Sequence, residues 1–232
     1  AERAFVDRTW TYGHVIVDEA QELSPMMWRL LMRRCPTKSF TVVGDMAQAT
    51  GAAVSSSWHD ALEPHVGDAW TRRDLTINYR TPASVMDQAT AMLSKAGFET
   101  EAPTSVREGE QPRAVRIDDL SSVAMVVAGE VETLGDGRLA VIATRAHVAQ
   151  LGEALAPWLS AEEDDLQAQV VLLSGERAKG LEFDVVVVVE PAAMVAESRH
   201  GHRALFVALT RPTQRLVLAH SGELPPGLAP AP

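Results

Sequence analysis

Short runs of β-branched apolar residues alternate along the chain with stretches of amphipathic, helix-forming composition. Apolar runs of this length typically form strands buried in a parallel sheet. The alternation predicts an α/β fold with a parallel or mostly parallel sheet. The predicted strands are 15–17, 40–43, 74–77, 114–117, 139–143, 170–173, 185–189 and 215–220. The predicted helices are 26–35, 57–65, 83–95, 121–134, 147–159 and 201–210.

The length of the chain, 232 residues, allows one large domain or two small ones. Two α/β units follow one another, and the change from one to the other falls near Asp74. The expected division is residues 1–73, residues 74–221, and a Pro-rich tail at 222–232. The composition of the tail predicts disorder, and the acidic stretch 161–165 is expected to be a solvated loop.

The charge balance limits the partners that the chain can bind. The formal net charge is −10, with 31 acidic against 21 basic residues. Affinity for phosphate comes from clustered Lys and Arg, so this balance does not favour autonomous binding to duplex DNA, although a local basic groove is compatible with it. Cys35, the single cysteine, excludes an intramolecular disulfide and fits a reducing compartment. The longest apolar run is too short to cross a bilayer, so we expect a cytoplasmic protein without a membrane partner.

The first predicted strand ends in two acids, Asp18 and Glu19. Open α/β sheets bind ligands at the carboxyl ends of their strands. Asp18 is placed to hold Mg²⁺, because that cation takes oxygen ligands and keeps several waters. Glu19 is placed to orient or deprotonate a water for attack on a phosphate. The alternative is a strand that ends in two solvated acids.

Further polar segments follow these acids in a fixed order. Taken singly, each has a structural explanation: Gln48 could cap a helix, Arg80 could pair with a surface acid, and Arg211 could end a helix. Together with residues 18–21, these segments resemble, in their residues and in their order along the chain, the later motifs of superfamily 1 helicases of the UvrD/Rep kind. The resemblance runs from residue 14 to residue 220. The segments that carry it are 18–21, 44–48, 78–80, 179–184 and 208–211.

The resemblance implies RecA-like parallel sheets flanked by helices, which is the P-loop NTPase fold. Residues 1–73 would then be the carboxyl-terminal part of a first RecA-like domain, and 74–221 the complete second one. ATP and Mg²⁺ are the implied cofactors, and ATP-driven movement on nucleic acid is the implied activity.

The resemblance also implies roles for single residues. Asp18 matches the Mg²⁺ ligand, Glu19 the residue that activates water, and Gln48 the sensor of the γ-phosphate. Arg80 and Arg211 match the two arginines that reach the γ-phosphate from the second domain. The guanidinium group of arginine is always charged and presents its N–H donors in a fixed planar geometry, so it is suited to neutralising charge on a transferred phosphoryl group.

A second set of residues is expected to bind the nucleotide. Tyr79 lies where the family stacks a ring on adenine, although a lone tyrosine is more often a core ring. Glu182 matches the acid near the ribose and phosphate. Gln21, Lys179 and Gly180 belong to the same motifs and are expected at the same site.

The chain departs from the family pattern in two places. No G-x-x-x-x-G-K-[ST] sequence, the loop that cradles nucleotide phosphates, occurs in the 232 residues. We therefore expect a carboxyl-terminal fragment that is inactive in ATP hydrolysis by itself. The chain also has Ser174, Gly175 and Glu176 where UvrD-type enzymes commonly have Thr-x-His, which contacts the DNA strand.

Three phrases of the sequence resemble the HelD branch, whose members act on bacterial RNA polymerase. This resemblance implies RNA polymerase as the main partner, with ATP driving its release from nucleic acid, and the acidic balance fits a protein partner. Two alternatives stay open: a UvrD-type helicase that translocates on single-stranded DNA, and a non-catalytic interaction module. The phrases are residues 9–14, 33–36 and 178–184.

Overall fold

The computed structural model describes residues 10–51, 55–98, 103–161 and 165–228. The chain divides into two compact units, residues 1–73 and residues 74–232. The assignment of the units as parts of two RecA-like domains stays a prediction.

The first unit is a small parallel sheet packed against two helices. Ser24 caps the first helix by accepting a hydrogen bond from the Met27 backbone N–H at 3.3 Å, and Pro25 occupies its first turn. Short 3₁₀ helices follow each strand, at Ala20–Glu22 and Met46–Gln48. The elements are β1 (Val15–Val17), α1 (Pro25–Arg34), β2 (Phe40–Val42) and α2 (Trp58–Val66), and β1 pairs with β2 in parallel.

Among the residues that the structure describes, one face of this two-stranded sheet packs on the helices and the other is exposed. Successive side chains of a strand point to opposite faces. Val17 is buried with Trp28 and Leu62, whereas Ile16 is 73% exposed. The prediction that β1 and β2 are buried strands is therefore wrong in its burial, although it is right in position.

The second unit is built on a five-stranded sheet in which every pair of neighbouring strands is parallel. The order of its strands is Arg113–Arg116, Pro212–His220, Phe183–Val189, Leu139–Ala143 and Val170–Ser174. A separate parallel pair, Ile77–Asn78 and Thr104–Ser105, precedes this sheet in the sequence. The elements are β3 (Ile77–Asn78), α3 (Ala83–Lys95), β4 (Thr104–Ser105), β5 (Arg113–Arg116), α4 (Val123–Leu134), β6 (Leu139–Ala143), α5 (Arg145–Leu155), β7 (Val170–Ser174), β8 (Phe183–Val189), α6 (Pro191–Glu197), α7 (Gly201–Leu209) and β9 (Pro212–His220).

The centre of this sheet is the core of the unit. All residues of β6 and the valines of β8 have no exposed surface. Side chains from α4 and α5, including Val127 and Leu151, pack on the sheet in one cluster with these strands. The predicted fold class, an α/β fold with a parallel sheet flanked by helices, is confirmed.

Several elements differ from the predictions. The predicted loop 100–113 contains the short strand β4, and the predicted strand 74–77 shrinks to Ile77–Asn78. Helix α6 was not predicted, because its seven residues are too few to show a helical apolar period. Among the described residues, no helix has the length and apolar character needed to span a membrane.

The carboxyl-terminal segment packs on the second unit as far as the structure describes it. Leu228 is 1% exposed, and its backbone N–H donates to the Pro225 carbonyl. Gly227 has φ +95°, and a Cβ there would lie 2.7 Å from the Met92 Cα atom in α3. The predicted disorder is therefore wrong for 222–228, since Leu228 has apolar surface to bury. Residues 229–232, and 162–164 of the acidic loop, lie outside the described residues.

Candidate functional site

In the first unit, the two acids that follow β1 are exposed. The Glu19 backbone N–H donates to Asp18 Oδ1 at 2.9 Å. Glu19 has φ 50°, in the left-handed region that non-glycine residues rarely adopt. The turn therefore leaves both acidic residues exposed directly after the strand.

Gln21 is hydrogen-bonded within the first unit. The residue is 2% exposed. Its Nε2 donates to Glu19 Oε2 at 2.6 Å, and its Oε1 accepts from the Asp45 backbone N–H at 3.0 Å. Both ends of the amide are thus engaged within the protein. Gln21 positions Glu19 and connects it to the segment after β2, and the predicted contact between Gln21 and nucleotide stays a prediction.

The close approach of these two segments depends on Gly44. A Cβ at this position would lie 2.3 Å from Gln21 Oε1 and 2.9 Å from Trp58 Cη2. Real Cβ atoms do not come this close to other heavy atoms, so any larger residue would displace Gln21. The glycine in the predicted 44–48 motif therefore has a steric explanation.

Gln48 lies in the 3₁₀ helix of the same segment. Its Nε2 donates to Asp45 Oδ2 at 2.9 Å, and Asp45 Oδ1 caps the helix by accepting from the Ala47 N–H. Asp45 was missed as a site residue. Its place three residues before Gln48, at the start of a turn, was the available signal. The structure thus connects Glu19, Gln21, Asp45 and Gln48 in one hydrogen-bonded chain.

The donors of this unit fit Mg²⁺. Asp18 and Glu19 offer exposed hard oxygen atoms at the carboxyl end of a parallel strand. Mg²⁺ is typically held by one or two carboxylates together with phosphates and water. Within the described part of the chain, no group of three or more His, Cys, Asp or Glu residues could hold a metal. The two acids would hold such an ion together with phosphate and water.

In the second unit, the turn after β3 presents Arg80. Asn78 Oδ1 accepts hydrogen bonds from the backbone N–H groups of Arg80 and Thr81, at 2.9 and 3.2 Å. The Arg80 Nε atom lies 2.6 Å from Glu182 Oε2, and both side chains are about half exposed. The predicted motifs 78–80 and 179–184, which are distant in sequence, thus meet through this ion pair.

Thr81 connects the same turn to a third motif. The residue is 3% exposed, and its Oγ1 donates to the Thr210 carbonyl at 3.2 Å. Thr210 directly precedes Arg211, so the segments of Arg80 and Arg211 lie side by side. Thr81 was missed by the sequence reasoning, because a threonine before Pro82 carries no local sign of burial.

Arg211 is buried, with 6% of its surface exposed. Its Nε donates to the Val207 carbonyl at 2.9 Å, and its Nη1 donates to the Leu181 carbonyl at 3.3 Å. A guanidinium has five N–H donors and can join several acceptors at once. In this structure Arg211 holds the end of α7 to the residues before β8, whereas the predicted role has it reach the γ-phosphate.

The remaining predicted residues lie near the same segments. Tyr79 is 73% exposed, so it is not the core ring that was its structural alternative. Lys179 and Gly180 form the turn that leads to Glu182, with Gly180 at φ +73°. The backbone N–H of Lys179 donates to the Glu176 carbonyl at 3.4 Å.

A separate ion pair lies at the carboxyl ends of β6 and β7. Arg145 pairs with Glu176, and its backbone N–H donates to Glu197 Oε1 at 2.9 Å. The hydrogen bond that Arg145 donates to the Glu176 carboxylate is the main reason that the pKa of Arg145 is raised further above its usual range. Glu176 thus pairs with an arginine at the carboxyl ends of these two strands.

Comparison with known families supports part of the resemblance. Residues 169–219 match the family described as UvrD-like helicase C-terminal domain. This stretch runs from β7 to β9 and includes Lys179, Glu182 and Arg211. The similarity to UvrD-like helicases is therefore confirmed for this part of the chain, and the HelD branch is not distinguished by the match. No curated protein matches the chain.

Solved structures of helicases resemble the chain. The C-terminal domain of a possible DNA helicase from Lactobacillus plantarum WCFS1 has a TM-score of 0.49 and 23% identity, over 67% of this chain and 94% of that one. The PRRSV helicase has a TM-score of 0.48 and 14% identity, over 89% of this chain and 34% of that one. The Arterivirus nonstructural protein 10 helicase, solved with DNA, has a TM-score of 0.45 and 16% identity, over 90% of this chain and 40% of that one.

The steric role of Gly44 gives a direct prediction. Gly44→Ala should destabilise the first unit by about 1–3 kcal/mol, because the new methyl group overlaps the Gln21 amide. Urea unfolding followed by tryptophan fluorescence measures the change. Gly13→Ala is the matched control, since a Cβ at Gly13 meets nothing within 4 Å. Equal stability of the two variants would show that Gly44 is not a steric requirement.

Proposed function

We propose that this chain is the motor part of an ATP-dependent superfamily 1 helicase. In this proposal each unit carries residues that act on a nucleotide: Asp18, Glu19 and Gln48 in the first unit, and Arg80 and Arg211 in the second. The observation that carries the proposal is the meeting of three sequence-distant motifs, 78–81, 181–183 and 210–211, through specific hydrogen bonds. The family match of residues 169–219 supports it independently.

The first unit would supply the carboxylates that hold Mg²⁺ and activate water. Asp18 would hold Mg²⁺, which when bound neutralises charge on the phosphate oxygens. Glu19 would orient an attacking water and accept its proton, and Gln21 holds one of the Glu19 oxygens in place. Gln48 would sense the terminal phosphate and transmit its state through Asp45.

The second unit would carry positive charge and bind the base. Arg80 is half exposed, so its guanidinium is accessible to an anion. Arg211 would add charge from its buried position while holding the neighbouring segments together. Tyr79, with its exposed ring, would stack on adenine, and Lys179, Gly180 and Glu182 would lie beside the sugar and phosphates.

The chain by itself should hydrolyse ATP only at the background rate. A complete site of this kind needs a phosphate-binding loop, and no G-x-x-x-x-G-K-[ST] sequence occurs in these 232 residues. Phosphate release in the presence of Mg²⁺ measures the rate, and Glu19→Gln should leave that rate unchanged. Turnover that is Mg²⁺-dependent and lost in Glu19→Gln would contradict this expectation.

We further propose that the motor is of the HelD type and acts on RNA polymerase. The support is the net charge of −10 and the pairing of Arg145 with Glu176. An arginine that is already paired with an acid attracts nucleic-acid phosphate less strongly. The alternative is a UvrD-type helicase that moves on single-stranded DNA, and the family match of residues 169–219 does not decide between the two.

The two candidates differ in what stimulates ATP hydrolysis. The protein that contains this chain, tagged at the carboxyl end and purified from its own cells, is assayed with single-stranded DNA or with RNA polymerase core enzyme. For a HelD-type motor we expect association with the polymerase and only weak stimulation by DNA. Strong, salt-sensitive stimulation by DNA without polymerase association would favour the UvrD-type helicase instead.

A further inference from the structure

We infer that Glu182 is an internal counter-ion that occupies Arg80 until a nucleotide phosphate replaces it. The inference rests on the proposed role of Arg80 as a phosphate ligand and adds a regulatory function to the same site. Glu182 then limits the affinity of the second unit for anions, in addition to any contact that it makes with the nucleotide.

The pair is held by two fixed backbones. The Asn78 side chain fixes the turn that bears Arg80. On the other side, the Glu182 carbonyl accepts from Arg138 Nη2 at 3.1 Å, and the next residue, Phe183, donates its backbone N–H to the Arg211 carbonyl at 3.1 Å. The backbone segments that carry Arg80 and Glu182 are thus both held by hydrogen bonds, and these bonds bring Arg80 Nε and Glu182 Oε2 together.

The exposure of the pair makes it exchangeable. The two side chains are 51% and 52% exposed, and ion pairs in such surroundings are weak because water screens them. A polyphosphate offers more negative charge and several oxygens in the geometry that a guanidinium fork matches. A phosphate chain can therefore displace one carboxylate from Arg80, whereas a singly charged anion gains little over it.

Glu182 also acts on the incoming anion directly. A carboxylate within hydrogen-bond distance of Arg80 repels any phosphate that approaches the same guanidinium. Removal of the charge at Glu182 removes both the competition for Arg80 and this repulsion. The affinity of the chain for polyphosphate should therefore rise when Glu182 becomes neutral.

The test uses the full 232-residue chain and inorganic tripolyphosphate, followed by isothermal titration calorimetry and by the Nε–H signal of Arg80 in NMR spectra. We expect Glu182→Gln to bind about three to ten times more tightly than the unmodified chain. Arg80→Gln should bind at least as many times more weakly. Glu153→Gln, the same charge change at an exposed position of α5, is the matched control and should change affinity by less than about twofold.

The outcomes separate the inference from the proposed function. If Arg80→Gln binds like the unmodified chain, or if no variant binds, the role of Arg80 as a phosphate ligand is contradicted. If Arg80→Gln weakens binding while Glu182→Gln leaves it unchanged or weaker, Arg80 keeps its role and the exchange is contradicted. A rise in Glu153→Gln equal to that in Glu182→Gln would reduce the effect to net charge and also contradict the exchange.

Discussion

The buried guanidinium of Arg211 is the contact on which the arrangement of the second unit's site depends. It donates to carbonyls of two segments, Val207 in α7 and Leu181 before β8. Burying a charge costs free energy unless its donors are satisfied, so these acceptors must stay in place. The Thr81–Thr210 hydrogen bond then adds the turn of Arg80 to the same frame.

Different polar side chains lie at the amino ends and at the carboxyl ends of the strands in the five-stranded sheet. The cluster of Arg80, Glu182 and Arg211 lies before the amino ends of β8 and β9, which pair at Phe183 and Pro212. The carboxyl ends of β6 and β7 carry the Arg145–Glu176 pair instead. Because all strands of the sheet are parallel, their amino ends lie together on one side and their carboxyl ends on the other. One small unit can therefore present two separate polar surfaces.

The strands of the core could be predicted from the sequence because they are continuous apolar runs. Strand β6 has the predicted bounds, and β8 contains the predicted run. The exposed turn of Asp18 and Glu19 was likewise foreseeable from an apolar run that ends in acids. The burial of Gln21, Thr81 and Arg211 was not, because each of them bonds a segment that is far away in the sequence and no local pattern marks a polar side chain that will be buried.

Hydrogen exchange in Arg211→Lys tests most directly whether one buried guanidinium holds the site together. Lysine keeps the charge but cannot reach several carbonyls with a planar fork. We expect faster exchange at the backbone N–H groups of Arg80, Thr81 and Phe183, with β6 as protected as before. Faster exchange confined to the end of α7, with the other two segments unchanged, would contradict the central role of Arg211.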